Sequence, residues 1–198
     1  MSMPDIVVDL TIAVCWIAVV VVWIAGGAYN LRFASRGRIR DRSGMPAYVV
    51  ATVAGAAVIS IGYDYLHDLV FQTVWSQLLG LAILAASTVF AIWARITLGT
   101  MWSSTPQVGA ERKLRTEGPY GVTRHPIYTG LLGMVVGTTL LAGGHELIAI
   151  AVVVFAMFEL KIAQEERLMV ATFPDEYPAY RHRVPQIVPG LRLPRGGG

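Results

Sequence analysis

Five stretches of the chain contain no charged side chain, and segments rich in arginine or in turn-forming residues separate them. The stretches are Leu10–Ala28, Met45–Tyr63, Val74–Ala94, Ile127–Ala142 and Leu147–Phe158. A helix needs about 20 predominantly apolar residues to cross a bilayer, and the first three stretches reach that length. The last two are shorter and only Gly143-Gly144-His145-Glu146 separates them. They are therefore predicted to form a tight helical hairpin whose second arm continues as a helix past Glu159 into the cytosol.

This pattern predicts an all-α fold, a polytopic integral membrane protein with five transmembrane helices. Only 15% of the 198 residues are charged, whereas a typical soluble domain has about 25%. The alternative is a soluble bundle of very apolar helices. Such a bundle would have to bury three charge-free runs of spanning length within a small chain, so the membrane interpretation is favoured.

The positions of the basic residues predict the orientation. All 16 lysines and arginines lie in three segments: between the first and second apolar stretches, between the third and fourth, and after the fifth. Positive charge in short loops is retained in the cytosol. The amino terminus is therefore predicted outside and the carboxyl terminus inside, in the cytoplasmic membrane. Basic residues beside membrane helices favour anionic lipid headgroups, and no aromatic-interleaved basic patch indicates nucleic-acid binding.

The chain divides into two parts of different character. Residues 1–94 are rich in Ala, Val, Ile and Gly and are predicted to form a scaffold of three transmembrane helices. Residues 95–198 are predicted to hold a cytosolic connector, the hairpin and a carboxyl-terminal segment, which together form the catalytic part. No metal site is expected, because His67 with Asp64 and Asp68 supplies too few ligands at an unspecific spacing.

Candidate chemistry concentrates where the fourth apolar stretch begins. His125 precedes Pro126; a residue before proline prefers extended geometry, and proline suits the first turn of a helix. His125 is therefore expected just outside the helix at the cytosolic membrane surface, with Tyr128 in the first turns. The free N–H groups at that helix end favour an anionic group such as a carboxylate.

The second arm of the hairpin adds acidic and aromatic side chains on the same membrane face. They are Glu159, Glu165, Glu166, Phe173, Tyr177 and Tyr180. An isolated charged helix end would be interpreted as a solvated surface. Because the short turn keeps the two helices adjacent, these residues are predicted to form a cytosolic pocket together with the His125 segment.

Three elements of this half resemble the isoprenylcysteine carboxyl methyltransferases and the related phospholipid methyltransferases. They are Leu98-Gly99 with Trp102; Gly118-Pro119-Tyr120 followed by Arg124-His125-Pro126-Ile127-Tyr128-Thr129-Gly130; and Glu165-Glu166-Arg167-Leu168 with Phe173, Tyr177, Tyr180 and Val184 to Pro189. They span about residues 95–189 in the family's order and spacing. The resemblance implies a membrane-embedded enzyme that uses S-adenosyl-L-methionine, releases S-adenosyl-L-homocysteine, and methylates a lipophilic acceptor that enters from the bilayer.

The resemblance also implies roles for individual residues. The cofactor-binding set is Leu114, Gly118, Tyr120, His125, Tyr128, Glu165 and Glu166, and the candidate catalytic residues are Arg124, Arg181 and Glu166. Aromatic faces attract a sulfonium, and a carboxylate binds an ammonium or ribose hydroxyls. An arginine can hold an acceptor carboxylate as a bidentate partner, whereas an amine acceptor would require a glutamate or histidine base.

The sequence does not identify the acceptor, the arginine that positions it or the oligomeric state. A phospholipid N-methyltransferase is the alternative within the family, and a non-catalytic membrane assembly factor with the same fold is the alternative outside it. A transporter would be expected to show charged residues within its spans or an internal repeat, and neither is present. The favoured interpretation is a carboxyl O-methyltransferase.

Overall fold

The computed structural model describes residues 3–33, 73–99, 114–143 and 146–191. Helices account for most of this part of the chain. They are α1 (Asp5–Phe33), α2 (Val74–Leu98), α3 (Pro119–Val122), α4 (Pro126–Ala142), α5 (Glu146–Thr172) and α6 (Glu176–Arg183). No residue in the described ranges belongs to a β-strand, so the predicted all-α class is confirmed for them.

Local sequence signals explain where α2 and α4 begin and end. Thr73 and Ser76 cap α2 reciprocally, each side chain accepting the backbone N–H of the other residue, which is a capping box. α4 begins at Pro126, which has no N–H to leave unpaired in the first turn. It ends at Ala142, and Gly143 caps it with a φ of 72°, the left-handed conformation favoured by glycine. These signals place His125 immediately before the first turn of α4.

The helices extend beyond the apolar stretches that predict them. α5 continues without a break to Thr172, so the predicted continuation of this helix past Glu159 is confirmed. α4 and α5 follow one another along the chain and pack against each other. The second predicted stretch, Met45–Tyr63, and Trp102 lie outside the described residues. The number of spans and the topology therefore stay predictions.

Two helices of the described part are long and apolar enough to cross a bilayer, namely Asp5–Tyr29 within α1 and the whole of α2. α4 is also apolar but has 17 residues. The core helix of a soluble protein would be mostly buried, yet only 11% of the apolar window of α1 and 33% of that of α2 are buried. α1 exposes Ile6, Leu10, Val14, Ile17 and Ile24. A continuous apolar surface of this kind is typical of a helix that contacts lipid or another protein.

Glycines bring α2 and α4 into close contact. A Cβ atom at Gly137 would lie 2.5 Å from the backbone nitrogen of Leu84, and a Cβ atom at Gly130 would lie 2.7 Å from the Cβ atom of Ala91. Gly80 makes the same approach from α2. Small residues permit such backbone proximity between membrane helices. The contact fixes the position of the amino-terminal end of α4, and with it His125, relative to α2.

Polar contacts attach α1 to the α2–α4 pair. The indole N–H of Trp16 donates to the Thr138 hydroxyl at 3.2 Å. Nearer the carboxyl-terminal end of α1, the guanidinium of Arg95 occupies the space that a Cβ atom at Gly26 would need. Arg95 is 3% exposed and donates from Nη1 to the Gly99 carbonyl at 3.2 Å. A cation is favourable at this end of α2 because helix carboxyl termini carry partial negative charge.

Replacing Gly137 with alanine should destabilise the α2–α4 pair. The added methyl group would meet the Leu84 backbone, and overpacking of this kind costs about 1–3 kcal/mol. Gly27→Ala is the matched control, because no atom lies within 4 Å of a Cβ atom there and alanine is the better helix former by about 1 kcal/mol. The apparent thermal unfolding midpoint in detergent should fall for Gly137→Ala and be unchanged or higher for Gly27→Ala. Equal midpoints for the two variants would contradict this packing.

Candidate active site

Arg124 lies at the centre of a polar cluster beside the amino-terminal end of α4. Its side chain is 7% exposed. Nε and Nη2 both donate to Oε1 of Glu166 on α5, at 3.0 and 2.7 Å. Nη1 donates to the backbone carbonyls of Arg181 and Val184 at the end of α6, at 3.0 and 2.5 Å. One guanidinium therefore joins the segment before α4 to α5 and to the end of α6.

The segment that follows α6 completes this junction through its backbone. The Arg124 N–H donates to the Pro185 carbonyl at 2.8 Å, and the His125 N–H donates to the Gln186 carbonyl at 3.1 Å. The Thr129 hydroxyl donates to the Ile187 carbonyl at 2.7 Å. We call residues 184–187 the carboxyl-terminal strap. Its carbonyls pair the backbone N–H groups of the two residues that precede α4.

A side-chain contact also attaches the strap to α5. The Gln186 amide donates to the Glu159 carboxylate, with distances of 3.2 and 3.3 Å to its two oxygens. The strap is therefore bonded both to the segment before α4 and to the helix that carries Glu165 and Glu166.

His125 lies between two carboxylates. It is 9% exposed, with Nδ1 3.6 Å from Glu165 Oε2 and Nε2 3.5 Å from Glu166 Oε1. Burial alone would lower the pKa of His125, but the two adjacent glutamates outweigh it, so the pKa is raised. Within the described part of the chain, the buried Nε2 has no hydrogen-bond partner. The raised pKa favours the protonated form of His125, in which Nε2 carries a hydrogen that it can donate to a ligand.

Aromatic side chains line one side of the carboxylates. The Tyr128 hydroxyl donates to Glu165 Oε1 at 2.7 Å, and its ring centroid lies 4.8 Å from that of Phe158 and 5.9 Å from that of His125. Lys161 Nζ lies 3.1 Å from the same Glu165 oxygen. We call His125, Tyr128 and Phe158 the aromatic wall. It places π faces beside two anionic groups.

Both carboxylates of the cluster are ionised at neutral pH. Burial alone would raise the pKa of Glu166, but contacts with His125 and Arg124 lower it to about 2. The pKa of Glu165 is likewise lowered, because His125, Lys161 and the Tyr128 hydroxyl outweigh its burial. Each acid is therefore a weak proton acceptor and a persistent negative charge.

The remaining residues of the cofactor-binding set that the sequence predicts lie in α3 or in the segment before it. Tyr120 is 8% exposed, and its carbonyl accepts the Tyr180 hydroxyl at 2.6 Å. Gly118 has a φ of 59°, and a Cβ atom there would lie 3.3 Å from the Trp93 ring. Leu114 is half-buried. Leu114 and Gly118 have no polar side-chain group, and the Tyr120 hydroxyl lies within electrostatic range of Glu165, whereas His125, Tyr128, Glu165 and Glu166 lie together in the Arg124 cluster.

Sequence reasoning assigned no site role to Lys161, Thr129, Gln186 or Phe158. Lys161 was detectable, since it lies four residues before Glu165 on a helix and such pairs are neighbours on one face. The contacts of Thr129 and Gln186 depend on the path of the strap, which no periodic pattern encodes. Among the described residues, no group of three or more His, Cys, Asp or Glu is arranged to hold a metal ion.

Comparisons with known proteins identify a family relationship. The profile of the family described as phospholipid methyltransferase matches residues 75–176. The chain is 34% identical over 142 residues to protein-S-isoprenylcysteine O-methyltransferase B of Arabidopsis thaliana. The aligned region covers 68% of this chain and 72% of the plant protein. The chain is also 35% identical over 106 residues to the cobalt-zinc-cadmium resistance protein CzcN of Cupriavidus metallidurans, covering 50% of this chain and 47% of that protein.

A solved structure shares the fold. It is a eukaryotic intramembrane Ras methyltransferase, isoprenylcysteine carboxyl methyltransferase, with a TM-score of 0.54 and 23% sequence identity. The match covers 77% of this chain and 55% of the chain in that structure. At this identity the likeness concerns the fold. Together with the two apolar helices, it indicates an integral membrane protein.

Glu166→Gln should be far more destabilising than Glu165→Gln. The first change leaves the buried Arg124 guanidinium without its counter-ion, and breaking a buried pair costs about 3–5 kcal/mol. The Glu165 and Lys161 side chains are 27% and 30% exposed, and pairs near solvent contribute about 0–1 kcal/mol. Chemical unfolding in detergent measures both free energies. Similar losses in the two variants would contradict the central place given to the Arg124–Glu166 pair.

Stability should be greatest between about pH 4.5 and 6.5. The raised pKa of His125 gives a contribution that is complete below its ordinary value of 6.5 and is lost as the pH rises through the folded value. The lowered pKa of Glu166 gives a contribution that is complete above its ordinary value of 4.5 and is lost as the pH falls toward about 2. Unfolding midpoints measured against pH should show both limbs. His125→Gln should flatten the alkaline limb, and an unchanged alkaline limb would contradict this assignment.

Proposed function

Because this chain belongs to the phospholipid methyltransferase family, we propose that it transfers the methyl group of S-adenosyl-L-methionine to a lipophilic acceptor at the cytosolic membrane face. Its membrane location and its methyltransferase class follow from the family and the fold. The donor, the membrane face and the acceptor are the content of the proposal. The acceptor group best supported is a carboxylate, which would give a methyl ester.

The observation that carries the proposal is the grouping of His125, Tyr128, Glu165 and Glu166 at the start of α4. The chemistry of these side chains fits the donor. Aromatic faces attract a sulfonium cation, and the rings of Tyr128 and Phe158 lie beside two ionised carboxylates. A carboxylate also binds an ammonium or ribose hydroxyls. The buried Nε2 of His125 offers one further donor to a polar group of the ligand.

When bound, S-adenosyl-L-methionine supplies a methyl group attached to a positively charged sulfur. The residues of the chain have to bind, align and exclude water, since an in-line displacement requires orientation rather than a covalent intermediate. Arg124 holds Glu166 by two hydrogen bonds, and the Tyr128 hydroxyl holds Glu165. Both carboxylates are therefore positioned before any ligand binds, which avoids reorganisation during the reaction.

The state of the carboxylates favours an acceptor that needs no base. Glu166 is paired with Arg124, and Glu165 accepts contacts from Tyr128 and Lys161. The lowered pKa values of these two acids make both poor proton acceptors, and the raised pKa of His125 favours its protonated form. An acceptor carboxylate is already ionised, whereas an ammonium must first lose a proton. Among the described residues, the cluster therefore supports carboxyl O-methylation over N-methylation of a phospholipid amine.

Calorimetry with detergent-purified protein tests the donor. Wild-type protein should bind S-adenosyl-L-homocysteine saturably, and His125→Ala should weaken binding at least tenfold, which is about 1.4 kcal/mol. Arg167→Gln is the control because this arginine is exposed on α5. Thermal unfolding shows whether each variant is folded. A folded wild-type protein that does not bind would contradict the proposal and favour a non-catalytic assembly role.

The same preparation then identifies the acceptor group. Transfer of a labelled methyl group from S-adenosyl-L-methionine should occur to N-acetyl-S-farnesylcysteine and not to phosphatidylethanolamine. Base treatment should release the label as methanol, because a methyl ester hydrolyses and an N-methyl group does not. A base-stable label in the phospholipid would show that the acceptor is an amine and not a carboxylate.

A further inference from the structure

The cations of the Arg124 cluster are held in different ways. The Arg124 side chain makes four hydrogen bonds and is 7% exposed. Lys161 lies 3.1 Å from Glu165 on its own helix. Arg181 is 38% exposed, and its Nε lies 3.6 Å from Glu166 Oε2, which is beyond hydrogen-bond distance. Arg181 therefore faces the cluster without being fixed in it.

The two oxygens of Glu166 explain why this contact can be exchanged. Oε1 accepts both hydrogen bonds from Arg124, whereas Oε2 is the atom nearest to Arg181. If the Arg181 guanidinium turns away, Glu166 keeps its buried counter-ion. Breaking a partly exposed contact costs little, while breaking a buried one leaves an uncompensated charge. Arg181 can therefore bind a ligand and leave the junction of the three segments intact.

An anionic ligand group needs such a cation at this site. Glu165 and Glu166 lie next to each other on α5, and each is held as an ionised carboxylate by its partners. A third carboxylate would be repelled unless a positive group separates it from them. A guanidinium matches a carboxylate in a bidentate pair. Both ligands of the proposed reaction bring a carboxylate, since the methionine part of the donor has one and the proposed acceptor has another.

We propose that Arg181 binds a ligand carboxylate, exchanging its contact with Glu166 Oε2 for that group, while Arg124 holds the site together. The inference rests on the proposed function and adds a binding role to it. The carboxylate comes from the methionine part of the donor or from the acceptor. Both sources use the same chemistry at Arg181, so ligands with and without the carboxylate distinguish them.

The experiment compares wild type, Arg181→Gln, Arg181→Lys and the control Arg167→Gln by calorimetry of the full chain in detergent. One ligand pair is S-adenosyl-L-homocysteine and its decarboxylated analogue. The other pair is N-acetyl-S-farnesylcysteine and its carboxamide, titrated into protein saturated with S-adenosyl-L-homocysteine. The Arg181 backbone carbonyl, which accepts from Arg124, is present in every variant. Thermal unfolding verifies that each variant is folded.

A donor carboxylate is identified if Arg181→Gln weakens S-adenosyl-L-homocysteine binding at least tenfold and leaves the decarboxylated analogue unchanged. An acceptor carboxylate is identified if cofactor binding is unchanged but the preference for the farnesylcysteine acid over its carboxamide disappears. Arg181→Lys should retain part of either preference. The inference is overturned if wild type and Arg181→Gln discriminate equally within both pairs. Wild-type protein that does not bind S-adenosyl-L-homocysteine overturns the proposed function, and this inference with it.

Discussion

The buried ion pair between Arg124 and Glu166 is the interaction on which the site depends. Neither charge is stable in this environment alone, because an unpaired buried ion is costly. The Arg124 side chain also donates to the backbone carbonyls of Arg181 and Val184. The segment before α4, α5 and the end of α6 must therefore meet before this guanidinium is fully hydrogen-bonded. The cluster forms as a unit because each segment supplies part of what the others require.

The rest of the site takes its position from that junction and from the contact between α2 and α4. Close glycine packing fixes the axis of α4, and Pro126 sets the residue at which α4 begins. The strap then pairs the backbone N–H of His125. The position of Glu165 follows from that of Glu166, because the two residues are adjacent on α5. The Tyr128 hydroxyl then orients the Glu165 carboxylate. Packing in the apolar part of the molecule thus determines the geometry of the polar part.

Much of this arrangement was predictable because its signals are local. Proline at the start of α4 and the short turn before α5 were enough to bring His125 close to Glu165 and Glu166. The strap was not predictable, because residues 184–187 have no periodic pattern and their contacts with Thr129 and Glu159 depend on tertiary structure. From the sequence alone, Arg124 and Arg181 were equivalent candidates for a catalytic arginine. Their burial distinguishes them, with 7% of one side chain and 38% of the other exposed.

The most direct test of this account is an experimental structure of the full chain with S-adenosyl-L-homocysteine bound. The account predicts that the ligand lies against the aromatic wall, with a polar group on Glu165 or on His125 Nε2. It also predicts that the Arg124–Glu166 pair is retained. A well-ordered ligand that contacts none of His125, Tyr128 and Glu165, or a complex in which Arg124 leaves Glu166, would contradict it.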